Sequence, residues 1–373
     1  MEIPAHISGA LAKNPGIVQA LLVEYPLGHG YWDYLDELIL SLESANCGGI
    51  QDKMADVGKN NLRKFQSAIS ELEIARLLSE RGKHVEMLPD DFLPTKSPDM
   101  YVKDPDGEYY VEVVRFSEDE AITIIQDELA EYLADRLKRC RVDVSLPADL
   151  SMPTTNYKER QIKEDRARDV VSKFKQTLSS MNLTQLPPCV NIGDVVFHFS
   201  NSSISGGFLG IINSETITVP SNKYVDRIRF LLTDEKIGKA VKRTKWTGDH
   251  LKKHYIVAID CEQPLLDEED VTEALLGKRE TYALAIPRKE IPPEVLKAAK
   301  KNWTTFLQRV HMIPKSLTAF SSYGIYLTNP ICRNVSGVLV YTRLVPRSES
   351  MVCFLPNPFA EDIINDSRLA RFL

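Results

Sequence analysis

The stretch that decides the fold is SAISELEIARLLSERGKHVEMLP (67–89), followed after a short gap by SPDMYVKDPDGEYYVEVVRF (97–116). Phe65, Ala68, Ile69, Leu72, Ala75 and Leu78 recur every three or four residues, the period of one helical face. That spacing predicts a helix over 61–83, closed by Arg81-Gly82, because glycine accepts the left-handed backbone that ends a helix. HVEML (84–88) alternates like a strand. Residues 89–97 read as a loop and 98–103 as a second short strand. Asp104-Pro105-Asp106-Gly107 has the residues of a tight turn. The third strand, 108–116, is rich in the aromatic and β-branched residues that suit a pleated surface. A further helix carries the stripe Ile122, Ile125, Leu129, Leu133 and Leu137. Helix, strand, strand pair and helix make an α/β sheet unit.

Outward from this unit, residues 1–60 hold one amphipathic stretch, Trp32, Leu35, Leu38, Ile39 and Leu42, ended by Cys47-Gly48-Gly49. They read as an N-terminal helical extension without chemistry of its own. Residues 155–181 read as a polar helix with seven basic and four acidic side chains. It is either a second wall of a DNA groove or an exposed helix laced with ion pairs. Further strands are expected at 194–199, 216–219, 227–232, 255–259 and 336–341, and helices near 271–276 and 294–310. Gly206-Gly207 and Gly210 read as a turn between strands. With neither repeat nor linker composition, the expected organisation is an extension (1–60) and one extended α/β domain (61–373), with its motif core at 61–145.

Composition sets outer bounds. The chain has 373 residues, 46 Lys+Arg against 52 Asp+Glu, and a net charge of −6. A mildly acidic chain does not bind nucleic acid by bulk charge. No apolar run nears the ~20 residues of a membrane span, and the first residues lack a secretory pattern. Six cysteines without a Cys-x-x-Cys pair read as reduced thiols of a cytoplasmic protein. His84-Val85-Glu86 with Pro188-Cys189 lacks the second cysteine of a zinc deaminase, and no serine-hydrolase elbow occurs. Charge is uneven, however. Residues 236–254 carry seven basic side chains, one aspartate and Trp246. Lys239, Lys242, Arg243, Lys245 and Trp246 are therefore the expected nucleic-acid contacts.

Three acids stand out by placement. Glu71 lies inside the apolar arc of its helix, and a carboxylate aimed at a core needs a partner. Glu73, at the edge of that arc, reads as solvated. Asp99 opens the second strand after Pro98. Glu112 shares a strand face with Tyr110 and Val114 by the period of two, and the hairpin sets Asp99 and Glu112 on neighbouring strands.

These residues, in the order helix Glu, Pro-Asp, and a Glu triplet on the next strand, resemble the PD-(D/E)XK nuclease superfamily. The resemblance covers roughly 67–116. It implies a restriction-endonuclease-like fold, a mixed central sheet flanked by helices. It also implies Mg²⁺- or Mn²⁺-dependent phosphodiester hydrolysis with Glu71, Asp99 and Glu112 as catalytic residues. The metal would be held by Asp99, Glu112 and the backbone carbonyl of Val113, since hard cations take oxygen ligands, with Glu71 orienting a water or second ion. DNA is the implied substrate; RNA and a homodimer stay open.

One position departs from the pattern. The triplet reads Glu112-Val113-Val114, so valine stands where the family has lysine. Arg115 points to the opposite face by strand alternation. Lys103 lies two strand steps from Asp99, and Lys64 about 10 Å along the helix from Glu71. Two readings follow: an active nuclease, or a nuclease-like module that binds nucleic acid or a protein partner without cutting.

Overall fold

The computed structural model describes residues 29–57, 62–105, 107–116, 120–137, 139–152, 154–201, 207–213, 221–235, 238–261, 266, 268–282, 317–320, 324–344, 348–357 and 360. Helices α1 (His29–Ser44), α2 (Ile50–Val57) and α3 (Leu62–Glu80) come first. Strands β1 (His84–Met87), β2 (Met100–Asp104) and β3 (Gly107–Phe116) follow. The turn between β2 and β3 forms where expected, with Gly107 N–H donating to Asp104 Oδ1 at 2.9 Å. Three further strands close the central sheet: β8 (His254–Cys261) and the hairpin partners β11 (Gly337–Leu344) and β12 (Ser348–Pro356). The six strands lie in the order β1-β2-β3-β8-β11-β12. The sheet is mixed: β3, β8 and β11 run parallel, and the outer pairings are antiparallel.

Strand alternation sorts the two faces. Tyr109, Val111 and Val113 of β3 face α3, where they join Leu72, Ala75 and the α1 residues Leu35 and Leu38 in one core. Tyr110, Val114 and Phe116 face the other way, onto α6 (Ser221–Thr233), α7 (Lys239–Arg243) and α8 (Glu268–Leu275). Glu112 lies on this second face.

Between β3 and β8 the chain builds a second layer. Helices α4 (Glu120–Arg136) and α5 (Tyr157–Ser179) pack with a four-stranded sheet ordered β5-β6-β4-β7. Its strands are β4 (Cys140–Leu146), β5 (Cys189–Ile192), β6 (Val195–Asn201) and β7 (Gly207–Asn213). The stripe Ile125, Leu129, Leu133 and Leu137 belongs to this separate core, with Phe174 stacked on Phe197 at 3.8 Å. A two-stranded pair, β9 (Arg279–Tyr282) with β10 (Leu317–Phe320), completes the described strands.

Three expectations are corrected. Residues 227–232 are helical, within α6: Val225, Ile228 and Leu232, the most deeply buried of its apolar side chains, are spaced for a helix face. Gly207 and Gly210, expected in a turn, lie within β7, which pairs in parallel with β4. Glu73 is fully buried, held by Arg76 at 3.0 Å, because α1 covers that side of α3. The expected strand at 216–219 and helix at 294–310 lie outside the described residues. All six cysteines are free thiols. Among the described residues no helix is long and apolar enough to cross a membrane.

Candidate functional site

The site begins where β2 stops and β3 continues. Asp99 N–H donates to the Val111 carbonyl at 3.1 Å, and Leu88 N–H donates to the Asp99 carbonyl at 2.9 Å. The next inward-pointing amide of β3, Val113 N–H, has no β2 residue left to meet, and donates to Asp99 Oδ2 at 2.6 Å. A side chain thus replaces a ladder bond. Because N–H and C=O of one strand residue point to the same neighbour, the Val113 carbonyl also projects past the end of β2.

Glu71 arrives from α3. It is buried and makes a 2.6 Å ion pair with Lys53 of α2. Ser67 Oγ, one turn earlier, donates to its Oε1 at 3.4 Å. Lys53 belongs to the N-terminal segment read as an extension, and it reaches the core helix through this pair. Its position is fixed by backbone: Gly48 bonds β1 on both sides, through Val85 O at 3.1 Å and Met87 N–H at 2.9 Å. Gly49, at φ +76°, lies so close to the Met87 carbonyl that any Cβ would collide with it. Only glycine lets the chain turn there and start α2.

Glu112 is 1% exposed, and each of its oxygens receives an ammonium group. Lys239 Nζ meets Oε1 at 2.5 Å, and Lys242 Nζ meets Oε2. Both lysines sit on α7, one turn apart, so one face of a single turn delivers both charges. The Tyr255 hydroxyl donates to the Lys239 carbonyl at 3.1 Å and ties α7 to β8.

Three carboxylates and three ammonium groups therefore share one region. Their electrostatics are unequal. Burial and the neighbouring Asp99 charge push Glu71 up to about 8, against the pull of Lys53. Burial and the Glu112 charge raise Asp99 above the ordinary carboxylate range, although Lys242, Lys239 and the Val113 amide oppose them. Burial acts on Glu112 in the same sense, but its two lysines prevail and hold it below its ordinary value. Lys239 is raised: the carboxylates, Glu112 foremost, outweigh its burial. The result is one carboxylate locked as an anion beside two that resist losing their protons.

Of the expected nucleic-acid contacts, Lys239 and Lys242 point inward to Glu112, and Lys245 is exposed. Arg243 is buried and donates to the Asn334, Leu251 and Lys253 carbonyls. Trp246 is buried too, with Nε1 donating to the Lys96 carbonyl at 2.7 Å. These two side chains hold the 239–253 segment to its neighbours. On α5 the polar pattern resolves into ion pairs along the helix, including Arg160–Glu164 at 2.8 Å and Lys173–Asp169 at 2.6 Å.

The oxygen donors suit a hard divalent cation, and the charges of Glu71, Asp99 and Glu112 act on one another. Against this, both Glu112 oxygens are engaged by lysines, and among the described residues no three His, Cys, Asp or Glu side chains are arranged to hold a metal ion. Compared with known proteins, the chain matches no family model, no curated protein and no solved structure.

Proposed function

We propose that this protein is a metal-dependent phosphodiesterase of the nuclease type, with a restriction-endonuclease-like core, acting on DNA at Glu71, Asp99 and Glu112. The observation that carries the reading is the convergence of these three acids with Lys239 and Lys242. The two lysines bring to the Glu112 carboxylate, from α7, the charge that Val114 cannot supply from β3.

The residues divide the work. Lys239 and Lys242 stabilise the negative charge that builds on the phosphate oxygens in the transition state. Preorganised charges of this kind contribute most when water is excluded. Glu71, raised to about 8, takes a proton from the attacking water in its ionised, Lys53-paired form. The buried ladder bond from Val113 fixes Asp99 and prevents it from swinging away. A Mg²⁺ or Mn²⁺ ion bound by Asp99, Glu112 and the Val113 carbonyl would supply Lewis acidity. Loading it requires at least one lysine to leave Glu112.

The test is incubation with plasmid and oligonucleotide DNA in Mg²⁺ or Mn²⁺. Cleavage is expected to vanish in Asp99→Ala. In Lys242→Met it should fall by about 10²–10³, the cost of one lost charge-stabilising donor. Absence of cleavage in every metal, with DNA still bound, would favour the binding module instead.

A further inference from the structure

Next to Glu112 on the same face of β3 lies an aromatic cluster that the carboxylates do not use. Tyr110 is two residues from Glu112, about 7 Å along the strand. Its ring meets Trp246 edge-on at 5.3 Å, and Trp246 meets Tyr255 at 5.0 Å. Tyr255 in turn bonds the carbonyl of Lys239. Aromatic contacts therefore run without a break from the lysine pair outward.

The outer end of this row is Phe92. Among the described residues it is the one aromatic in the group of exposed large apolar side chains, at 39% exposure. It packs edge-on against Tyr110 at 6.2 Å and His250 at 5.7 Å. The rings are held in place. The Tyr110 hydroxyl and His250 Nδ1 share a 2.8 Å hydrogen bond. The Phe92 loop is braced by Phe92 N–H to Pro89 O at 3.0 Å and by Ser97 Oγ, which accepts from Leu93 N–H at 2.8 Å and donates to Asp90 O at 2.9 Å. Thr95 Oγ1 stitches the loop to the Lys245 carbonyl at 3.2 Å. The same loop ends at Asp99.

Basic groups border the rings. Lys253 Nζ lies 4.5 Å from the Tyr101 ring centre and also pairs with Glu108. Lys96 and Lys245 are exposed on the two segments that Trp246 and Thr95 join. Asp90, Asp91 and Asp249 are exposed nearby in sequence and temper the field. A fixed, exposed ring, with basic side chains on the segments joined to its loop, is the arrangement that binds an unpaired base by its π-face and the adjoining phosphate by charge.

We propose that Phe92, backed by His250 and Tyr110, is a stacking platform for an unpaired nucleobase, so that the substrate is single-stranded or locally unpaired DNA. The inference deepens the phosphodiesterase reading and rests on it for the direction in which the strand runs, from the platform to Glu112. A base paired in a duplex keeps its face covered by its neighbours and cannot use the platform.

The experiment measures binding of the full chain to a labelled oligothymidylate and to a blunt hairpin duplex, without divalent metal, by fluorescence anisotropy. Phe92→Ala should weaken oligothymidylate binding about 5- to 50-fold, in keeping with the loss of one stacked base. Duplex binding should not change, and Phe92→Trp should restore the single-strand affinity. Thermal melts of both variants check that the fold is intact. Unchanged oligothymidylate binding in Phe92→Ala, equal losses on both probes, or no oligothymidylate binding by the wild type overturns the platform. The two readings fail separately. Loss of stacking without any cleavage in Mg²⁺ or Mn²⁺ removes the phosphodiesterase and leaves the platform. Cleavage with Phe92→Ala indistinguishable from wild type does the reverse.

Discussion

The two sheets treat charge in opposite ways. Around the four-stranded sheet, the pair Lys173–Asp169 on α5 sits outside, with both partners more than half exposed, while the core between its strands and α4 is apolar. Around the six-stranded sheet, Glu71, Glu112, Lys53 and Glu73 are buried. Exposed pairs cost little and contribute little. Buried ones must overcome several kcal/mol of lost hydration per ion. A fold gains no stability from gathering three acids at one strand end, so the six-stranded sheet is where chemistry is expected.

The sharpest way to break this comparison is to remove one charged partner from each sheet's surroundings, the buried Glu112 first. Glu112→Ala strands two ammonium groups, and urea melts should show a loss of about 3–5 kcal/mol, the usual cost of breaking a buried pair. A loss no larger than that of a surface variant would mean that water already reaches Glu112.

The pH dependence at Glu71 sharpens it further. Glu71 binds its proton more tightly folded, at about 8, than at its ordinary value of 4.5. Its favourable contribution is therefore complete below 4.5 and is lost as pH rises towards 8. Glu71→Gln cannot lose that proton. Its melting temperature relative to wild type should climb from pH 5 to pH 8.5; a constant difference would place Glu71 in water-like surroundings. The smallest effect belongs to α5: Lys173→Ala should move stability by no more than about 0.5 kcal/mol.

Much of the six-stranded sheet was legible because its signals are local. The period of α3, the Asp-Pro-Asp-Gly turn and the alternation of β3 each lie within twenty residues, and they bring Asp99 beside Glu112. The cations were not legible as partners of the acids. Lys53 reaches Glu71 from a different helix, and Lys239 and Lys242 reach Glu112 across more than 120 residues. Nothing local marks a lysine as pointing inward. The basic run at 236–254 was visible as charge, yet its orientation depends on Arg243 and Trp246, which turn into the protein and hold the segment down. For α6 the fault was periodicity: Ile228, Phe230 and Leu232 alternate as a strand would, while Val225, Ile228 and Leu232 serve equally as a helix face. Gly207 and Gly210 suggested a turn because glycine is rare inside strands, and the pairing of β7 with β4 overrides that preference.

The bond from Val113 to Asp99 makes one amide proton a native sensor. A carboxylate anion accepts this hydrogen bond more strongly than a neutral acid does. The Val113 amide therefore sits at a chemical shift that follows the charge on Asp99, and any ligand or ion that changes that charge is recorded there. In an isotope-labelled sample, a single backbone resonance would report the state of the whole cluster without a probe being attached to it.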